Sequence, residues 1–327
     1  MPSRKLVIGI LAAPLLFVVV GLWTIVAPVI RSAPRPTTEI SVSTQRLRQD
    51  VLALASTDDA RSYDNPVALE AAALYIESEL AKAGMHARRQ SFRVGPREYH
   101  NVIAMYGYGG AARLVIGAHY DVCERQPGAD DNASGVAGLL EIARLLQTRS
   151  PKLPYEIELV AYTLEEPPFF RTAQMGSAVH ARELSTSGTP VIGMIALEMI
   201  GYFSDALDSQ DYPMPLLSWL YPTQGNFIAV VGRLGEGDWV RSVKAPMTAV
   251  SGPPVVSIAA PPFVPGVDFS DHLNYWAKGY RAVMVTDTAF LRNANYHEVT
   301  DTPDTLDYER MAGVVRQVYW TAVNQEL

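Results

Sequence analysis

The chain has 327 residues, of which 48% are hydrophobic and 19% are charged, and its formal net charge is −7. This composition excludes a disordered chain and a collagen-like repeat. It also excludes a small disulfide-stabilised protein, because the single cysteine, Cys123, cannot form an internal disulfide. The absence of a basic surplus argues against nucleic acid as a partner, because no excess positive charge is available to neutralise phosphates.

The first segment of the chain is strongly apolar. The stretch from Leu6 to Ile30 carries no charge and has basic residues on both sides. About 20 apolar residues span the hydrocarbon core of a membrane as a helix, whereas the apolar core of a cleaved signal is shorter. We therefore expect residues 1–31 to form one transmembrane helix, with the rest of the chain outside the cytoplasm. A cleaved signal, which would give a secreted or periplasmic protein, is the alternative.

After residue 42, the chain predicts alternating helices and strands. A helical pattern includes Leu47, and a second helix has Asn65 as its N-cap, Pro66 at its first position and Gly84 at its end. Glycines within 107–110 predict a hairpin turn. The predicted strands are 87–94, 98–106, 114–118, 156–164, 191–197 and 281–286, and the later helices are 133–147, 172–184, 270–278 and 307–325.

Apolar strands that alternate with helices are typical of an α/β fold, in which a mostly parallel sheet has helices on both faces. No shift in composition divides residues 43–327, so we expect one domain after a polar linker at 32–42. The Pro-rich stretch 208–266 is expected to be a long insertion over one edge of that domain.

Four of the predicted strands are followed by imidazole or carboxylate side chains. Sites in open α/β sheets form beyond the carboxyl ends of the strands, so these side chains are expected at one edge. Imidazole and carboxylate ligands without thiolate suit zinc or a comparable divalent ion, and two ions that share a carboxylate can activate water and polarise a carbonyl. The residues are His119 and Asp121, Glu165 and Glu166, Glu198, and Tyr296 and His297.

Six short motifs carry a family resemblance. The sequences HYD, PGADDNASG, TLEEPPF, LEMIGY, SDH and YH followed by DTPDTLD resemble the zinc-dependent aminopeptidases of the M28 family, in the expected order over about residues 99–325. The resemblance implies a three-layer sandwich with a mixed, mainly parallel central sheet flanked by helices. It also implies two Zn²⁺ per chain and the hydrolytic release of an N-terminal residue from peptides with a free N-terminus. The oligomeric state does not follow from it.

The resemblance implies a role for each site residue. Glu165 matches the general base, and Tyr296 matches a hydroxyl that steadies the developing oxyanion. Asp121, which matches the carboxylate that orients the first histidine, is expected to support the ligands together with Asp271 and His272. An ordinary cap at the start of a helix is the alternative for His272. Asp130 is not expected to be a ligand. The expected ligands are His119 and Glu198 for the first ion, Asp131 as the bridge, and Glu166 and His297 for the second ion.

Glu198 departs from the family pattern, which commonly has Asp at this position. The additional methylene moves the carboxylate outward, which puts the occupancy of the first ion in question. The intact context of Met199 to Gly201 nevertheless favours ligation. The acidic residues Asp301, Asp304 and Asp307 precede the last helix, and turn and cap duty is expected for them.

Two alternative functions remain open at this point. Similar proteins cyclise an N-terminal glutamine with one zinc and also need a carboxylate that transfers protons, but five intact ligand positions favour two ions and hydrolysis. A non-catalytic binding ectodomain is the other alternative. Loss of activity in such relatives typically removes ligands or the base, whereas this chain shows only the conservative change at Glu198.

Overall fold

The computed structural model describes residues 21, 33–55, 60–107, 109–110 and 112–325. Apart from Gly21, the predicted membrane anchor lies outside the described residues. Among the residues that are described, no helix has both the length and the apolar character needed to cross a bilayer.

The described chain alternates between helices and strands. The helices are α1 Thr44–Leu54, α2 Pro66–Lys82, α3 Gly135–Arg149, α4 Gly176–Ser187, α5 Gly237–Thr248, α6 His272–Trp276 and α7 Tyr308–Ala322. The strands are β1 Ala87–Val94, β2 Arg97–Tyr106, β3 Arg113–His119, β4 Glu156–Tyr162, β5 Val191–Glu198, β6 Ile228–Arg233, β7 Val255–Ala260 and β8 Ala282–Thr286. A wide turn at Ala129–Ser134 leads into α3.

The helix starts follow the capping chemistry of the sequence. The side chain of Asn65 accepts a hydrogen bond from the Ala68 amide at 3.2 Å, and Pro66 is the first residue of α2, as predicted. Asp307 caps α7 in the same way by accepting from the Arg310 amide at 2.9 Å. Cap duty is therefore confirmed for Asp307, whereas the exposed Asp304 pairs with Arg48.

All eight described strands form one sheet, in the order β1-β2-β4-β3-β5-β8-β6-β7. The central strand β3 pairs in parallel with β4 and β5, and β5 pairs in parallel with β8. The pairs β1–β2, β2–β4 and β6–β8 are antiparallel, and β6–β7 is parallel. The predicted mixed, mainly parallel sheet is confirmed.

Helices cover both faces of the sheet. Along β3, Leu114 and Ile116 point into one cluster of buried apolar side chains, which they share with α1, α2, α3, α5 and α7. Val115, which points to the opposite face, lies in a second cluster with side chains of α4 and α6. The strand alternation thus produces two cores, and the predicted three-layer arrangement is confirmed.

The predicted hairpin turn at 107–110 is wrong. The hairpin joins β1 to β2 through a two-residue turn, in which Gly95 has φ +58°. The later glycines connect β2 to β3, and these strands are not neighbours in the sheet. Gly110 is required for a different reason, because a Cβ there would lie 2.8 Å from backbone atoms of Tyr155 and Glu156.

The predicted insertion at 208–266 is also wrong in its structure. This stretch contains β6, α5 and β7, and the two strands extend the sheet beyond β8 instead of covering its edge. Its prolines lie mostly in the connections, and the short apolar runs between them are the strands. The antiparallel pairing of β6 with β8 involves tertiary contacts that periodicity does not reveal.

Arg61 lies between two helices and contacts the loops that follow β3. It is 3% exposed, and its guanidinium donates hydrogen bonds of 2.6–2.7 Å to four backbone carbonyl oxygens. Burial lowers the pKa of Arg61 to about 10, although nearby carboxylates oppose this shift, so the group stays charged at neutral pH. The four acceptors are the carbonyl oxygens of Leu54, Tyr120, Pro127 and Gly128.

Replacing this side chain should destabilise the fold. In Arg61→Ala, four buried carbonyl groups lose their donor, so we expect the free energy of unfolding to fall by at least about 3 kcal/mol, measured by urea denaturation. The control is Arg48→Ala, which removes an exposed ion pair with Asp304 and should cost less than about 1 kcal/mol. Equal losses in the two variants would contradict a structural role for Arg61.

Candidate metal centre

Four strand ends bring the predicted ligands to one edge of the sheet. His119 is the last residue of β3 and Glu198 the last residue of β5, while Glu165 and Glu166 follow the end of β4. His297 lies in the loop after β8. Because β3, β4, β5 and β8 run in parallel, their carboxyl ends meet at the same edge, as the sequence indicates.

The first group of donor atoms surrounds His119. Its Nε2 atom lies 3.4 Å from Oδ1 of Asp131 and 3.4 Å from Oε2 of Glu198. Ser270 donates a hydrogen bond of 2.7 Å to the same Glu198 oxygen, which fixes the direction of the longer side chain. The additional methylene of Glu198 therefore does not prevent its carboxylate from facing His119.

The second group surrounds His297. Its Nε2 atom lies 3.2 Å from Oδ2 of Asp131 and 3.3 Å from Oε2 of Glu166. The two oxygens of Asp131 therefore face different histidines. This is the arrangement expected of a carboxylate that bridges two ions.

The separations of these atoms fit metal coordination. Ligand atoms bound at 2.0–2.1 Å to one tetrahedral ion lie about 3.3 Å apart. All four measured separations, from 3.2 to 3.4 Å, agree with this distance. The residues that the sequence named as ligands therefore form two sets of three donors with Asp131 in common.

The electrostatics of the centre also suit cations. The residues Asp131, Glu165, Glu166 and Glu198 are at most 6% exposed. Within the described part of the chain, Oδ2 of Asp131 and Oε1 of Glu166 lack a hydrogen-bond partner. Burial, and then the nearby Asp131, raise the pKa of Glu166 to about 7. Buried carboxylates in such number require positive charge nearby, so the donor set fits divalent ions.

Glu165 lies beside these groups without being part of either. Its Oε2 is 4.0 Å from Nε2 of His119, and the family resemblance assigns it the role of base and not of ligand. Burial raises the pKa of Glu165 well above its usual range; His119 opposes this shift, and the neighbouring Glu166 and Glu198 add to it. This position suits a group that exchanges a proton beside the ions.

Asp121 supports the site through the backbone. Its carboxylate accepts hydrogen bonds of 3.1 Å from the amides of both Glu165 and Glu166. Nδ1 of His119 donates to the Asp121 carbonyl oxygen at 3.2 Å, and the carboxylate lies further away, at 3.6 Å. Asp121 therefore orients His119 chiefly through its carbonyl group, and its carboxylate holds the two glutamates in place.

The turn that carries Asp131 is fastened to the end of β5. Asn132 donates to the Leu197 carbonyl at 2.8 Å and accepts from the Met199 amide at 3.1 Å. Ser134 accepts from the Ile200 amide at 3.0 Å. The segments PGADDNASG and LEMIGY therefore bind each other through these hydrogen bonds, and this contact sets the position of Asp131 relative to Glu198.

Asp301 also holds this turn, although its position before the last helix predicted only a role in a turn or a helix cap. Its carboxylate accepts from the amides of Asp130 and Asp131, each at 3.0 Å. The Asp130 carboxylate faces away from the ligands and accepts from the Gly201 amide and from Asn293. The contacts of Asp301 and Arg61 span long sequence separations, so no local signal identifies these two residues as supports.

The remaining predicted residues differ in their placement. Asp271 is fully buried, and burial raises its pKa to about 7, partly opposed by the charge of His119. The hydrogen bond that the structure gives His272 goes to the Val267 carbonyl oxygen, and its ring packs on Trp276. Among the described residues, no side-chain hydrogen bond joins His272 or Asp271 to a proposed ligand. Tyr296 stacks on the ring of His297, with 3.9 Å between the ring centroids.

An apolar pocket opens beside the centre. Glu198 and Tyr296 form one side of it, and most of its remaining wall is apolar. Parts of the wall come from β6, β7 and β8 and from the loop before α6. Representative lining residues are Phe227, Val231, Ile258, Val264, Met284 and Phe290.

Comparison with known proteins decides the family. The profile of peptidase family M28 matches residues 101–321, which is more than half of the chain. The chain belongs to peptidase family M28.

The Escherichia coli protein YfbL is 47% identical over 299 residues, which cover 89% of this chain and 91% of that protein. Leucine aminopeptidase 1 of Fusarium vanettenii is 24% identical over 65% of this chain and 52% of its own length, so this chain spans about half of that relative. The M28 assignment and the leucine aminopeptidase relative support peptide hydrolysis.

Solved structures of low sequence identity share the fold. LapB of Legionella pneumophila has a TM-score of 0.69 at 21% identity, covering 90% of this chain and 77% of that one. BSAP, a zinc aminopeptidase from Bacillus subtilis, has a TM-score of 0.68 at 14% identity, with coverages of 87% and 95%. The glutaminyl cyclase of Fimbriiglobus ruber has a TM-score of 0.65 at 17% identity, with coverages of 90% and 100%.

Variants at position 198 test whether Glu198 is a ligand. Glu198→Ala should lose one ion per chain because the first donor set keeps only His119 and Asp131, whereas Glu198→Asp should retain part of the binding because the charge stays. Elemental analysis of the purified proteins measures this directly. Glu98→Ala, which removes an exposed carboxylate on β2, is the control and should keep both ions. Two ions retained in Glu198→Ala would remove Glu198 from the ligand set.

Proposed function

We propose that this protein is a zinc-dependent aminopeptidase that releases apolar N-terminal residues from peptides. The observation that carries the proposal is the Asp131 carboxylate, whose two oxygens face two separate donor sets at ligand spacing. His119, Glu198 and Asp131 would hold the first ion, and Asp131, Glu166 and His297 the second. When bound, zinc lowers the pKa of a coordinated water and polarises a carbonyl group.

Glu165 is the proton-transfer group in this proposal. It takes the proton of the attacking water and later gives it to the leaving amine. Its burial and its position outside both donor sets support this role. Burial and the nearby carboxylates of Asp131 and Glu166 raise the pKa of Tyr296, so its hydroxyl stays protonated and can donate to the developing oxyanion.

Two features of the site support action at an N-terminal residue. Buried carboxylates outnumber imidazoles in the centre, which favours a substrate with a positively charged α-amino group. The apolar pocket next to Glu198 offers room for the side chain of the released residue. Its apolar wall favours leucine or phenylalanine over charged side chains.

Glutaminyl cyclisation is the competing reaction on this fold, because a glutaminyl cyclase is among the similar structures. Two observations favour hydrolysis. The donor atoms form two sets, whereas cyclisation on similar proteins uses one zinc, and the pocket wall is largely apolar where a glutamine carboxamide would need polar partners.

We further propose that residues 1–31 anchor the protein in a membrane, with the catalytic domain outside the cytoplasm. The described part of the linker supports an anchor on the far side of the domain from the pocket. Trp320 donates to the Pro34 carbonyl oxygen at 2.8 Å, and Arg149 donates to the carbonyl oxygen of Glu39. Both donors lie at the ends of helices that begin near the metal centre, so the pocket would face away from the membrane.

A substrate panel tests this function on the full chain, assayed in membrane and soluble fractions of expressing cells. Leucine should be released with a kcat/KM at least about tenfold above alanine, because the larger side chain fills the apolar pocket. Chelation should abolish the activity and zinc should restore it. An N-acetylated leucine substrate is the matched control and should not be cleaved. Cleavage of that control, or cyclisation of an N-terminal glutamine, would contradict aminopeptidase action, and activity confined to the soluble fraction would contradict anchoring.

Removing the proposed base should separate catalysis from metal binding. Glu165→Gln should lower kcat by about 10²–10⁴-fold while both ions stay bound, because a proton acceptor is lost and no ligand is. Steady-state kinetics and elemental analysis measure the two effects. Glu98→Gln, at an exposed position on β2, is the control and should change neither. Loss of metal together with activity would show that Glu165 is a ligand and not the base.

A further inference from the structure

The single cysteine of the chain lies beside the second donor set. Cys123 is half-buried and follows His119 by four residues, in the loop after β3. Its Sγ atom, a carboxylate oxygen of Glu166 and a ring nitrogen of His297 all lie within 4.8 Å of one another. None of the family motifs in the sequence includes this cysteine.

A second observation indicates that the space between Cys123, Glu166 and His297 is suited to a metal ion. Glu166 is 4% exposed, and its Oε1 atom has no hydrogen-bond partner among the residues that the structure describes. A buried carboxylate oxygen without a partner is costly unless a cation or a donor completes its surroundings. The other oxygen of this carboxylate, Oε2, lies 3.3 Å from Nε2 of His297, and a carboxylate oxygen of Glu166 lies within 4.8 Å of Sγ of Cys123.

The position of the thiol is set by the groups that position Glu166. Val122, the preceding residue, donates its amide to the Arg61 carbonyl oxygen at 3.3 Å. Asp121 holds the amides of Glu165 and Glu166 at 3.1 Å. The carboxylate of Asp121, two residues before Cys123, therefore links the segment that carries the thiol to the backbone of Glu166.

We propose that Cys123 is a further ligand of the second metal ion, in addition to Asp131, Glu166 and His297. The proposal rests on the metal-dependent function argued above. Thiolate, imidazole and carboxylate are the three protein ligand types that zinc accepts. On binding, the S–H bond breaks, a sulfur–metal bond forms, and the proton passes to solvent.

The distances allow this bond. With sulfur at 2.3 Å and nitrogen or oxygen near 2.0 Å from one ion, the ligand atoms lie about 3.5 Å apart. Sγ and the other two atoms lie at most 4.8 Å apart, so the side chains need to close by at most about 1.3 Å when an ion binds.

The proposed thiolate has a consequence for metal choice. Three protein ligands leave a tetrahedral ion one open position, and sulfur would fill it until substrate binds. Soft thiolate ligands favour zinc or cadmium over magnesium or manganese. The second site should therefore be more selective for zinc than the first, whose donors are nitrogen and oxygen alone.

Cobalt substitution of the full-length protein tests the inference without depending on turnover. Cobalt bound to a thiolate gives a strong near-ultraviolet charge-transfer absorption, which nitrogen and oxygen ligands do not give. The wild-type protein with two cobalt ions should show this absorption, and Cys123→Ser and Cys123→Ala should both lack it. Glu165→Gln is the matched control and should keep it, because no ligand is changed.

Thiol labelling and zinc titration provide independent readouts. Zinc should slow the alkylation of Cys123, and a chelator should restore the rate. Cys123→Ser should bind zinc at the second site at least about tenfold more weakly, since even the loss of a group that supports a ligand has an effect of this size. Two bound cobalt ions without the absorption would contradict ligation by Cys123 but leave the proposed function intact. Alkylation of Cys123 at the same rate with and without zinc would have the same meaning. A wild-type protein that binds no ions would overturn the proposed function as well.

Discussion

The carboxylate of Asp131 lies between His119 and His297, with its two oxygens 3.4 and 3.2 Å from the two imidazoles. Because one side chain faces both donor sets, a shift of the turn at Ala129–Ser134 would disturb both together. The surrounding structure opposes such a shift. Asp301 holds the amides of the turn from one side, and Asn132 fastens it to the end of β5.

Buried charged groups in this protein hold backbone as well as ligands. Arg61, Asp121 and Asp301 are each nearly inaccessible and direct their hydrogen bonds at loop carbonyl or amide groups. Irregular loops lack the partners that helices and sheets supply, and an unpaired buried backbone group is costly. Charge-assisted hydrogen bonds offset the desolvation of these side chains, so irregular segments can place ligands with precision.

The proposed ligands and the walls of the apolar pocket come from different parts of the sheet. The strands β3, β4 and β5 deliver most of the proposed ligands and Glu165, whereas β6 and β7 provide walls of the apolar pocket. Glu198 belongs to both, because it ends β5 and lines the pocket. The pocket wall can therefore vary in sequence without displacing His119 or Asp131.

The sequence by itself determined the alternation of strands and helices, the helix caps at Asn65 and Asp307, and the residues that follow the strand ends. It could do so because hydrophobic periodicity, capping and the ends of strands are local properties of the chain. Only the tertiary structure decided that β6 and β7 extend the sheet, that Arg61 and Asp301 support the metal-binding loops, and that Cys123 lies beside His297. Asp301 lies 170 residues from the amide of Asp131 that it binds. Contacts at such separation depend on how the elements pack, and neither residue type nor periodicity records whether a charged side chain is buried in the final fold.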